Sequence, residues 1–391
     1  MNIFLSCLQS PHRYPIPSYD FWTPYFRNGL HEAGHTILED DRIDWAKGLM
    51  PLPQDELLKW KSDTWSQTID LLKKESVTRR VDLFLSYLYP QQVDASAIAT
   101  IQAMGVPCVN FFCDNVREYR RIPDAFHPFD LHWVPEFKAL PLYEVRKWKT
   151  VYAPMPCWIP PERRVPIRQE RPIVSFIGGR DSLRAGVLAR AAASDLPFEV
   201  RGPSWLPSVG NKQLSAPPPA SADVRLSAWL SFIEHQGIVA AGRRLFSRFQ
   251  KSDPPVDFSK NVRPMPEQDD YQSIVAESAV SLGINRYPSF RFPLDKPDTY
   301  SRLRDIEAPM LGACYLTEWT AGLDRLYDLE TEISTYRSGE ELVEKAKSLL
   351  ADDKRRASMR EKAQKRALTE HSVGHTVEKI SQTLGLKNSS S

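Results

Sequence analysis

Short apolar segments alternate with helical segments along most of this chain, and this alternation limits the possible folds more than any other feature. In the first half, buried strands are predicted at 2–8, 36–38, 81–88 and 106–112, and a helix at 95–104. Strands that alternate with helices are typical of a parallel sheet with helices on both faces. The sequence therefore predicts an α/β fold built on a doubly wound parallel sheet.

The alternation restarts after residues 153–171, a stretch that contains five prolines. Proline-rich stretches of this kind are typical of linkers between domains. A chain of 391 residues is also expected to form two domains. Beyond the linker the predicted elements are strands at 172–177, 198–200, 280–284 and 313–317, and helices at 182–193, 271–279 and 304–311.

Composition and charge exclude several classes of protein. The formal net charge of +2 argues against an obligate nucleic-acid binder, which usually carries a strong basic excess. No window reaches 18 apolar residues and the N-terminus lacks a basic signal-peptide region, so we expect a soluble cytoplasmic protein with no membrane span. The five cysteines are scattered without a Cys-x-x-Cys pair, which argues against a disulfide framework or a zinc ribbon.

The segment 29–37 contains a His-Glu-x-x-His pattern, formed by His31, Glu32 and His35. In a zinc enzyme both histidines lie on one face of a continuous helix. Here Gly34 immediately precedes the second histidine and predicts the end of the helix, with a strand directly after it. His35 would then lie outside the helix, so the sequence predicts no metal site.

Residues 302–328 carry an ordered set of polar residues around a predicted helix and strand. Arg304, Glu307, Gly312, Thr317 and Glu318 follow the pattern Arg-x-x-Glu-x-x-x-x-Gly-x-x-x-x-Thr-Glu. This pattern resembles the donor-nucleotide site of GT-B glycosyltransferases, and more closely the branch that includes spore-maturation proteins of the CgeB type. The resemblance extends over most of the second half, through the segments 174–180, 201–205, 271–286 and 366–372.

The resemblance implies a GT-B fold, in which two Rossmann-like domains face a central cleft. Residues 1–160 would form the acceptor-side domain, with a terminal helix at about 372–391 packed on it, and 161–371 the donor-binding domain. The implied activity is metal-independent transfer of a sugar from a nucleotide-diphosphate sugar to an acceptor hydroxyl. A UDP-sugar is the expected donor, it acts as a co-substrate rather than a cofactor, and the acceptor is unknown.

A nucleotide-diphosphate sugar needs positive charge around its diphosphate and acceptors for its ribose hydroxyls. A glycine turn before a helix offers backbone N–H groups to phosphate, arginines offer bidentate charge, and Glu307 suits the ribose diol, as the matching residue does in the family. The predicted donor-site residues are Gly178, Gly179, Arg180, Arg184, Asn285, Arg286, Arg304, Glu307, Gly312 and Thr317.

The acceptor side offers three candidate catalytic residues. Asp114 follows the predicted strand at 106–112, at the sheet edge where functional residues gather. His12 and Asp20 lie in the loop after the first strand, and either could act as a general base. A turn-forming role for Asp114, and an ordered loop without chemistry for the other two, remain open alternatives.

One position departs from the family pattern. Retaining members of the best-known related family carry a second glutamate eight residues before the position of Glu307, where this chain has Thr299. Retention or inversion at the anomeric carbon therefore stays open. Alternative functions also stay open: a DNA-base glucosyltransferase, supported by Arg243, Arg244 and Arg248, a sugar-nucleotide epimerase, or a non-catalytic GT-B binding module.

Overall fold

The chain divides into two compact units in a computed structural model. The N-terminal unit comprises Met1–Trp158, Ala216–Ile238 and Ser372–Ser391, and the C-terminal unit comprises Ile159–Ser215 and Val239–His371. The residues that the structure describes are 1–16, 21–167, 169–205, 226, 229–230, 232–234, 236–247, 256–265, 268–287 and 297–386.

The N-terminal unit is built on a six-stranded parallel sheet in the order β2-β1-β3-β4-β5-β6. All residues of β3, β4 and β5 are buried, as expected for a parallel sheet that is covered on both faces. The strands are β1 (Asn2–Ser6), β2 (Thr36–Leu38), β3 (Leu83–Ser86), β4 (Cys108–Phe111), β5 (Leu131–Val134) and β6 (Thr150–Tyr152).

Helices connect these strands, and the first helix ends before the second histidine of the His-Glu-x-x-His pattern. They are α1 (Trp22–Glu32), α2 (Gln54–Ser76), α3 (Ala95–Ala103), α4 (Asn115–Glu118) and α5 (Leu140–Glu144). After α1, Gly34 adopts a left-handed φ of 76° and the chain enters β2 at Thr36. His35 therefore lies beyond the helix, as predicted, and does not share a helical face with His31.

The C-terminal unit repeats the same strand order on a five-stranded parallel sheet, β13-β12-β9-β7-β8. A short antiparallel ribbon of β10 and β11 stands apart from it. The strands are β7 (Arg171–Ile177), β8 (Phe198–Arg201), β9 (Ser278–Gly283), β10 (Arg286–Tyr287), β11 (Asp298–Thr299), β12 (Tyr315–Glu318) and β13 (Ser334–Tyr336).

The remaining helices are α6 (Ser182–Ala192), α7 (Ile238–Ser247), α8 (Gln268–Glu277), α9 (Arg304–Met310), α10 (Leu323–Leu326), α11 (Gly339–Leu350), α12 (Asp353–Glu370) and α13 (Val373–Leu384). In the C-terminal unit α6 packs on α11 and α9 packs on α12. Arg356 and Arg360 of α12 both pair with Glu170, at 2.5 and 3.0 Å, just before β7. The terminal helix α13 packs on α1, where a Cβ on Gly29 would lie 2.6 Å from Val373.

Both sheets grow in two directions from their first strand. In the N-terminal unit β1 lies between β2 and β3, and in the C-terminal unit β7 lies between β8 and β9. The predicted α/β class, with two parallel sheets, is confirmed. In such sheets ligands bind outside the carboxyl ends of the strands, at the point where the strand order reverses. In the C-terminal unit that point lies between the ends of β7 and β9.

Within the described part of the chain, no helix combines the length and the apolar character needed to cross a bilayer.

Candidate functional site

The strand order of the C-terminal unit brings most of the predicted donor-site residues to one sheet edge. The ends of β7, β9 and β12 are neighbours there because β9 pairs with both other strands. The residues at or beside this edge are Gly178, Gly179, Arg180, Arg184, Asn285, Arg286, Arg304, Glu307 and Thr317.

The glycine turn after β7 is tied to the loop after β8 by its main chain. The N–H of Gly178 donates to the carbonyl of Arg201 (2.8 Å), and the N–H of Arg180 donates to that of Pro203 (3.0 Å). The indole N–H of Trp205 donates to the carbonyl of Gly178 (2.7 Å). Two of the N–H groups that the sequence offers to a phosphate are therefore already engaged within the protein.

Gly202 makes this close packing possible. Its φ is 148°, and a Cβ at this position would lie 2.1 Å from the carbonyl oxygen of Gly178. No side chain fits in that space, because real Cβ atoms do not approach backbone oxygens so closely. The loop after β8 thus supports the glycine turn directly.

The first turn of α6 is capped by a carboxylate. Asp181 accepts a hydrogen bond from the N–H of Arg184 (2.9 Å), as expected at a helix N-terminus. This carboxylate occupies the position at which a phosphate would meet that N–H. Positive charge at this edge therefore comes from side chains.

Three arginines, Arg184, Arg302 and Arg304, carry positive charge at this edge, and we call them the arginine cluster. The guanidinium of Arg184 donates to the carbonyl of Gly179 (2.8 Å), and that of Arg304 to the carbonyl of Ile177 (3.2 Å). Burial lowers the pKa of Arg184, and the neighbouring charges of Arg302 and Arg304 lower it further. The Nε atom of Arg302 is buried without a hydrogen-bond partner among the described residues, whereas Nε of Arg184 lies 3.3 Å from a carboxylate oxygen of Asp181.

Glu307 lies one turn along α9 from Arg304. Its Oε2 accepts a hydrogen bond from the hydroxyl of Tyr271 and lies 3.4 Å from Nε of Arg304. Arg304 also stacks over the Tyr271 ring, with Cζ 5.0 Å from the ring centroid. Only 8% of the Glu307 side chain is exposed. The carboxylate is therefore held in a fixed orientation beside the arginine cluster.

Arg286 is engaged by Glu318 at the end of β12. Its Nε lies 2.8 Å from Oε1 of Glu318, and its Nη2 contacts the same oxygen. The other carboxylate oxygen accepts the main-chain N–H groups of Asn285 (3.2 Å) and Arg286 (2.9 Å). Glu318 thus holds Arg286 more closely than Asp181 holds Arg184 (3.3 Å) or Glu307 holds Arg304 (3.4 Å).

Thr317 and Asn285 belong to a buried network centred on Asp305. The carboxylate of Asp305 accepts hydrogen bonds from the hydroxyls of Thr317 (3.0 Å), Tyr315 (2.8 Å) and Ser301 (3.0 Å). The amide of Asn285 donates to the carbonyl of Glu318 (2.8 Å). Burial raises the pKa of Asp305, while these donors act in the opposite direction. These contacts favour a positioning role for the network.

Two predicted donor-site residues, Gly312 and Arg180, make none of the contacts described above for the arginine cluster. Gly312 ends α9 in a left-handed conformation (φ 72°), and its carbonyl accepts a hydrogen bond from Arg360 (2.9 Å). It precedes β12, so it lies at the amino edge of the sheet, away from the arginine cluster. Arg180 follows the glycine turn and is partly exposed.

Sequence reasoning did not select Arg302, Asp305, Tyr271 or Glu318 as site residues. Each of them lies within a segment that carries the family resemblance, and Arg302 begins the polar stretch at 302–328. Their partners, however, come from other strands and helices. Proximity in the sequence motif was the signal that could have found them.

In the N-terminal unit Asp114 lies at the carboxyl end of β4, with Oδ1 3.9 Å from Nη1 of Arg117. The N–H of the next residue, Asn115, donates to Glu136 (2.7 Å), and Asn115 accepts from the hydroxyl of Tyr143 (2.8 Å). Glu136, which the sequence analysis missed, is fully buried, and burial raises its pKa well above the usual value.

The other two candidate catalytic residues belong to the loop after β1. His12 is exposed, and its ring lies edge-on to Tyr14 with centroids 6.4 Å apart. Tyr14 donates to Asp44 (2.7 Å), which fixes this loop. In the sheet order, β3 separates β1 from β4, so His12 and Asp114 follow strands that are not neighbours. Asp20 lies outside the described residues.

Comparison with known proteins gives independent information about the fold. A family model described as "Glycosyl transferase-like" matches residues 228–382. No curated protein is similar to the chain in sequence.

Several solved structures share the architecture over nearly their whole length. Sucrose-phosphate synthase from Thermosynechococcus elongatus superposes with a TM-score of 0.54 at 13% identity, over 98% of each chain. A glycosyltransferase from Rickettsia africae gives 0.55 at 13% identity, over 99% of each chain. Anabaena Alr3699/HepE in complex with UDP gives 0.53 at 11% identity, over 98% of this chain and 99% of that one. The two parallel-sheet units of this chain therefore form a GT-B fold, as the sequence pattern predicts.

Proposed function

We propose that this protein is a glycosyltransferase that binds a nucleotide-diphosphate sugar on its C-terminal unit and transfers the sugar to an acceptor hydroxyl. The observation that carries the proposal is the arginine cluster at the point where the strand order reverses, with Glu307 beside it. The resemblance of the motif at 304–318 to CgeB-type glycosyltransferases supports the same proposal. The HepE structures with UDP and with UDP-glucose make a UDP-sugar the donor to test first.

The arginine cluster would neutralise the diphosphate. Arg302 has a buried Nε–H that a bound anion would satisfy. Guanidinium groups bind phosphate oxygens in a bidentate manner. Negative charge grows on the departing diphosphate during transfer, and fixed positive groups stabilise that charge without reorganising. Because the arginines supply this charge, we propose that transfer needs no metal ion.

Glu307 would bind the ribose hydroxyls, because an ionised carboxylate only accepts hydrogen bonds. Its contact with Tyr271 holds the carboxylate in place before the nucleotide binds. Arg286, Asn285 and Thr317 would shape the edge through the buried contacts described above. They would act as positioning residues rather than as direct ligands of the diphosphate.

The N-terminal unit would present the acceptor, which could be a glycan, a protein or a small molecule. Asp114 is the first candidate for the catalytic base, because it follows β4 at the carboxyl edge of the sheet and is partly exposed. His12 and Asp20 stay as further candidates.

The proposal is tested by thermal shift with UDP, GDP, ADP, CMP, dTDP and their common sugars, with and without EDTA. A ligand at about 100 times its Kd stabilises the folded state by about 2.7 kcal/mol. We expect one nucleotide to raise the Tm, with or without EDTA. Arg304→Ala and Glu307→Ala should lose the shift while Arg190→Ala keeps it, since Arg190 is an exposed arginine of α6 paired with Glu340.

Three results would contradict parts of this proposal. An unchanged shift in both Arg304→Ala and Glu307→Ala would exclude the donor site at this edge. Loss of the shift in EDTA would exclude the metal-independent mechanism. A nucleotide shift without sugar release or transfer, measured with the matching donor, would indicate a binding module rather than an enzyme.

A further inference from the structure

Helix α7 exposes large apolar side chains on one of its faces. Val239, Leu245 and Phe246 are 65%, 47% and 73% exposed, whereas Ala240 and Ala241 are buried. At 100° per residue, the three exposed side chains fall within about 120° of the helix circumference. The helix therefore buries small residues and turns its larger apolar residues outward, the reverse of the usual arrangement.

This face is distinct from scattered exposed apolar residues, which are normal on protein surfaces. Its members share one side of a single helix, and that helix lies in the long segment at 202–267 between β8 and α8. Connections in α/β units are usually only a few residues long. A contiguous exposed apolar face typically marks an interaction surface.

The charge of the sequence around α7 indicates which kind of partner this face would bind. Between 238 and 252 the chain carries four basic residues and no acidic residue: Arg243, Arg244, Arg248 and Lys251. Arg243 is exposed on α7, next to the apolar face. A basic helix with an exposed apolar face is typical of proteins that lie in the interface of an anionic bilayer.

We propose that α7 docks on an anionic lipid bilayer, with Val239, Leu245 and Phe246 at the boundary of the acyl chains and Arg243 among the phosphate headgroups. The apolar face argues for lipid over nucleic acid, because phosphate-backbone binding uses positive charge and gains nothing from aliphatic side chains. The basic residues argue against a second copy of the chain, which would bring like charges together. This proposal does not depend on the proposed function.

The test is flotation of the full-length protein with vesicles of phosphatidylcholine and phosphatidylglycerol in equal parts, against vesicles of phosphatidylcholine alone. We expect binding to the anionic vesicles that weakens as salt increases. The double variant Leu245→Ser/Phe246→Ser should bind at least about tenfold more weakly, because both side chains lose their apolar burial. Arg243→Gln should bind more weakly to the anionic vesicles only.

The matched control is Leu58→Ser/Val77→Ser, which replaces two apolar residues that are 55% and 85% exposed at α2. It should bind as the wild type does. All variants change exposed residues, so an unchanged Tm shows that each is folded.

Three outcomes would overturn the proposal. The first is a failure of the wild-type protein to float with anionic vesicles, even if it is retained on DNA. The second is undiminished binding by the Leu245→Ser/Phe246→Ser variant. The third is a concentration-dependent dimer that this variant abolishes, with no vesicle binding by the wild type, which would make a second copy the partner.

Discussion

Arg286 and Glu318 form a buried ion pair that joins the ends of two neighbouring strands. Nε of Arg286 lies 2.8 Å from Oε1 of Glu318, and the side chains are only 15% and 4% exposed. Glu318 ends β12 and Arg286 follows β9, so the pair closes the edge of the sheet beside the arginine cluster. Oε2 of Glu318 also accepts two main-chain N–H groups, so both oxygens of this carboxylate bind groups that follow β9.

We expect Glu318→Ala to lower the free energy of unfolding by about 3–5 kcal/mol, because it leaves Arg286 buried without its counterion. Glu340→Ala is the control, since Glu340 pairs with Arg190 on the surface, where both side chains are more than 60% exposed. That change should cost less than about 1 kcal/mol. Urea denaturation measures both, and equal losses would show that the Arg286 pair is not buried as described.

The same pair predicts how Arg286 and Arg304 differ in nucleotide binding. Both arginines face a carboxylate, but Glu318 binds Arg286 through two guanidinium nitrogens, whereas Glu307 lies 3.4 Å from Nε of Arg304, which also has the other arginines of the cluster beside it. We expect Arg286→Ala to reduce stability with a smaller change in nucleotide Kd, and Arg304→Ala to raise the Kd about tenfold or more with a smaller change in stability. Calorimetric titration with the nucleotide measures the Kd of both variants, and urea denaturation measures their stability. A larger Kd effect for Arg286→Ala would show that Arg286 rather than Arg304 binds the diphosphate.

The sequence predicts the class of fold well, because the apolar runs of a parallel sheet are visible without tertiary context. It fails where a polar residue interrupts a strand. Strand β5 (Leu131–Val134) contains His132 and Trp133, and its pattern gave no strand prediction. In the structure both side chains are buried, and the Trp133 indole donates to the carbonyl of Pro154 (3.0 Å). Trp133 is also packed against Phe26 of α1, whose ring centroid lies 5.7 Å away although it is distant in sequence.

The boundary between α8 and β9 shows a second limit. The sequence predicts a helix at 271–279, but α8 ends at Glu277 and the strand begins at Ser278. The Ser278 hydroxyl donates to the carbonyl of Ile274 (2.6 Å), and Ser278 already pairs with Arg171 of β7. Strand pairing with a distant segment therefore decides the boundary.

For the candidate site, the motif predicts a segment of the chain but not the contacts that its residues make. The pattern at 304–318 includes Thr317 and Glu318, yet it does not indicate that Thr317 donates to Asp305 or that Glu318 pairs with Arg286. These contacts follow from the sheet order, which places the ends of β9 and β12 side by side.

His132 makes the stability of the N-terminal unit sensitive to acid. It is buried against the rings of Trp148 and Tyr143, with centroids 5.3 and 5.0 Å away. Burial lowers its pKa from 6.5 to about 3, so the imidazole stays neutral in the folded state. The unfolded chain takes up this proton below about pH 6.5. The stabilisation is therefore complete above that pH and is lost as the pH falls toward 3.

The size of this effect can be isolated with His132→Phe, which keeps an aromatic ring and removes the titration. Each pH unit within the window costs about 1.4 kcal/mol for a single group. Between about pH 6.5 and 4.5 we expect the wild type to lose about 2–3 kcal/mol more than the variant in urea denaturation. Parallel losses in the two proteins would show that His132 is not the titrating group.

Gly202 supports the glycine turn, and its replacement should disturb both stability and nucleotide binding. A Cβ would lie 2.1 Å from the carbonyl of Gly178, so Gly202→Ala must displace the turn. We expect a loss of at least about 2 kcal/mol and a weaker nucleotide shift. Gly186→Ala is the control, because a Cβ there meets no atom within 4 Å in α6. It should stabilise the protein by about 0.5–1 kcal/mol, and equal effects of the two changes would contradict the close packing of the loop.

Asp305 should be essential as an acceptor. Asp305→Ala leaves the hydroxyls of Ser301, Tyr315 and Thr317 and the N–H of Arg302 without their buried acceptor. We expect a loss of at least about 3 kcal/mol, because each buried donor left unsatisfied costs about 1–3 kcal/mol. Asp305→Asn keeps one amide oxygen and should lose less.

Asp305 also lies in the first turn of α9, between Arg304 and Glu307, so both variants should weaken the nucleotide shift in the same order as they weaken stability. Thermal denaturation with and without the nucleotide measures the two effects together. An Ala variant as stable as the Asn variant would mean that the hydroxyls find other acceptors, and Asp305 would then not be the residue that fixes the orientation of α9 at the strand ends.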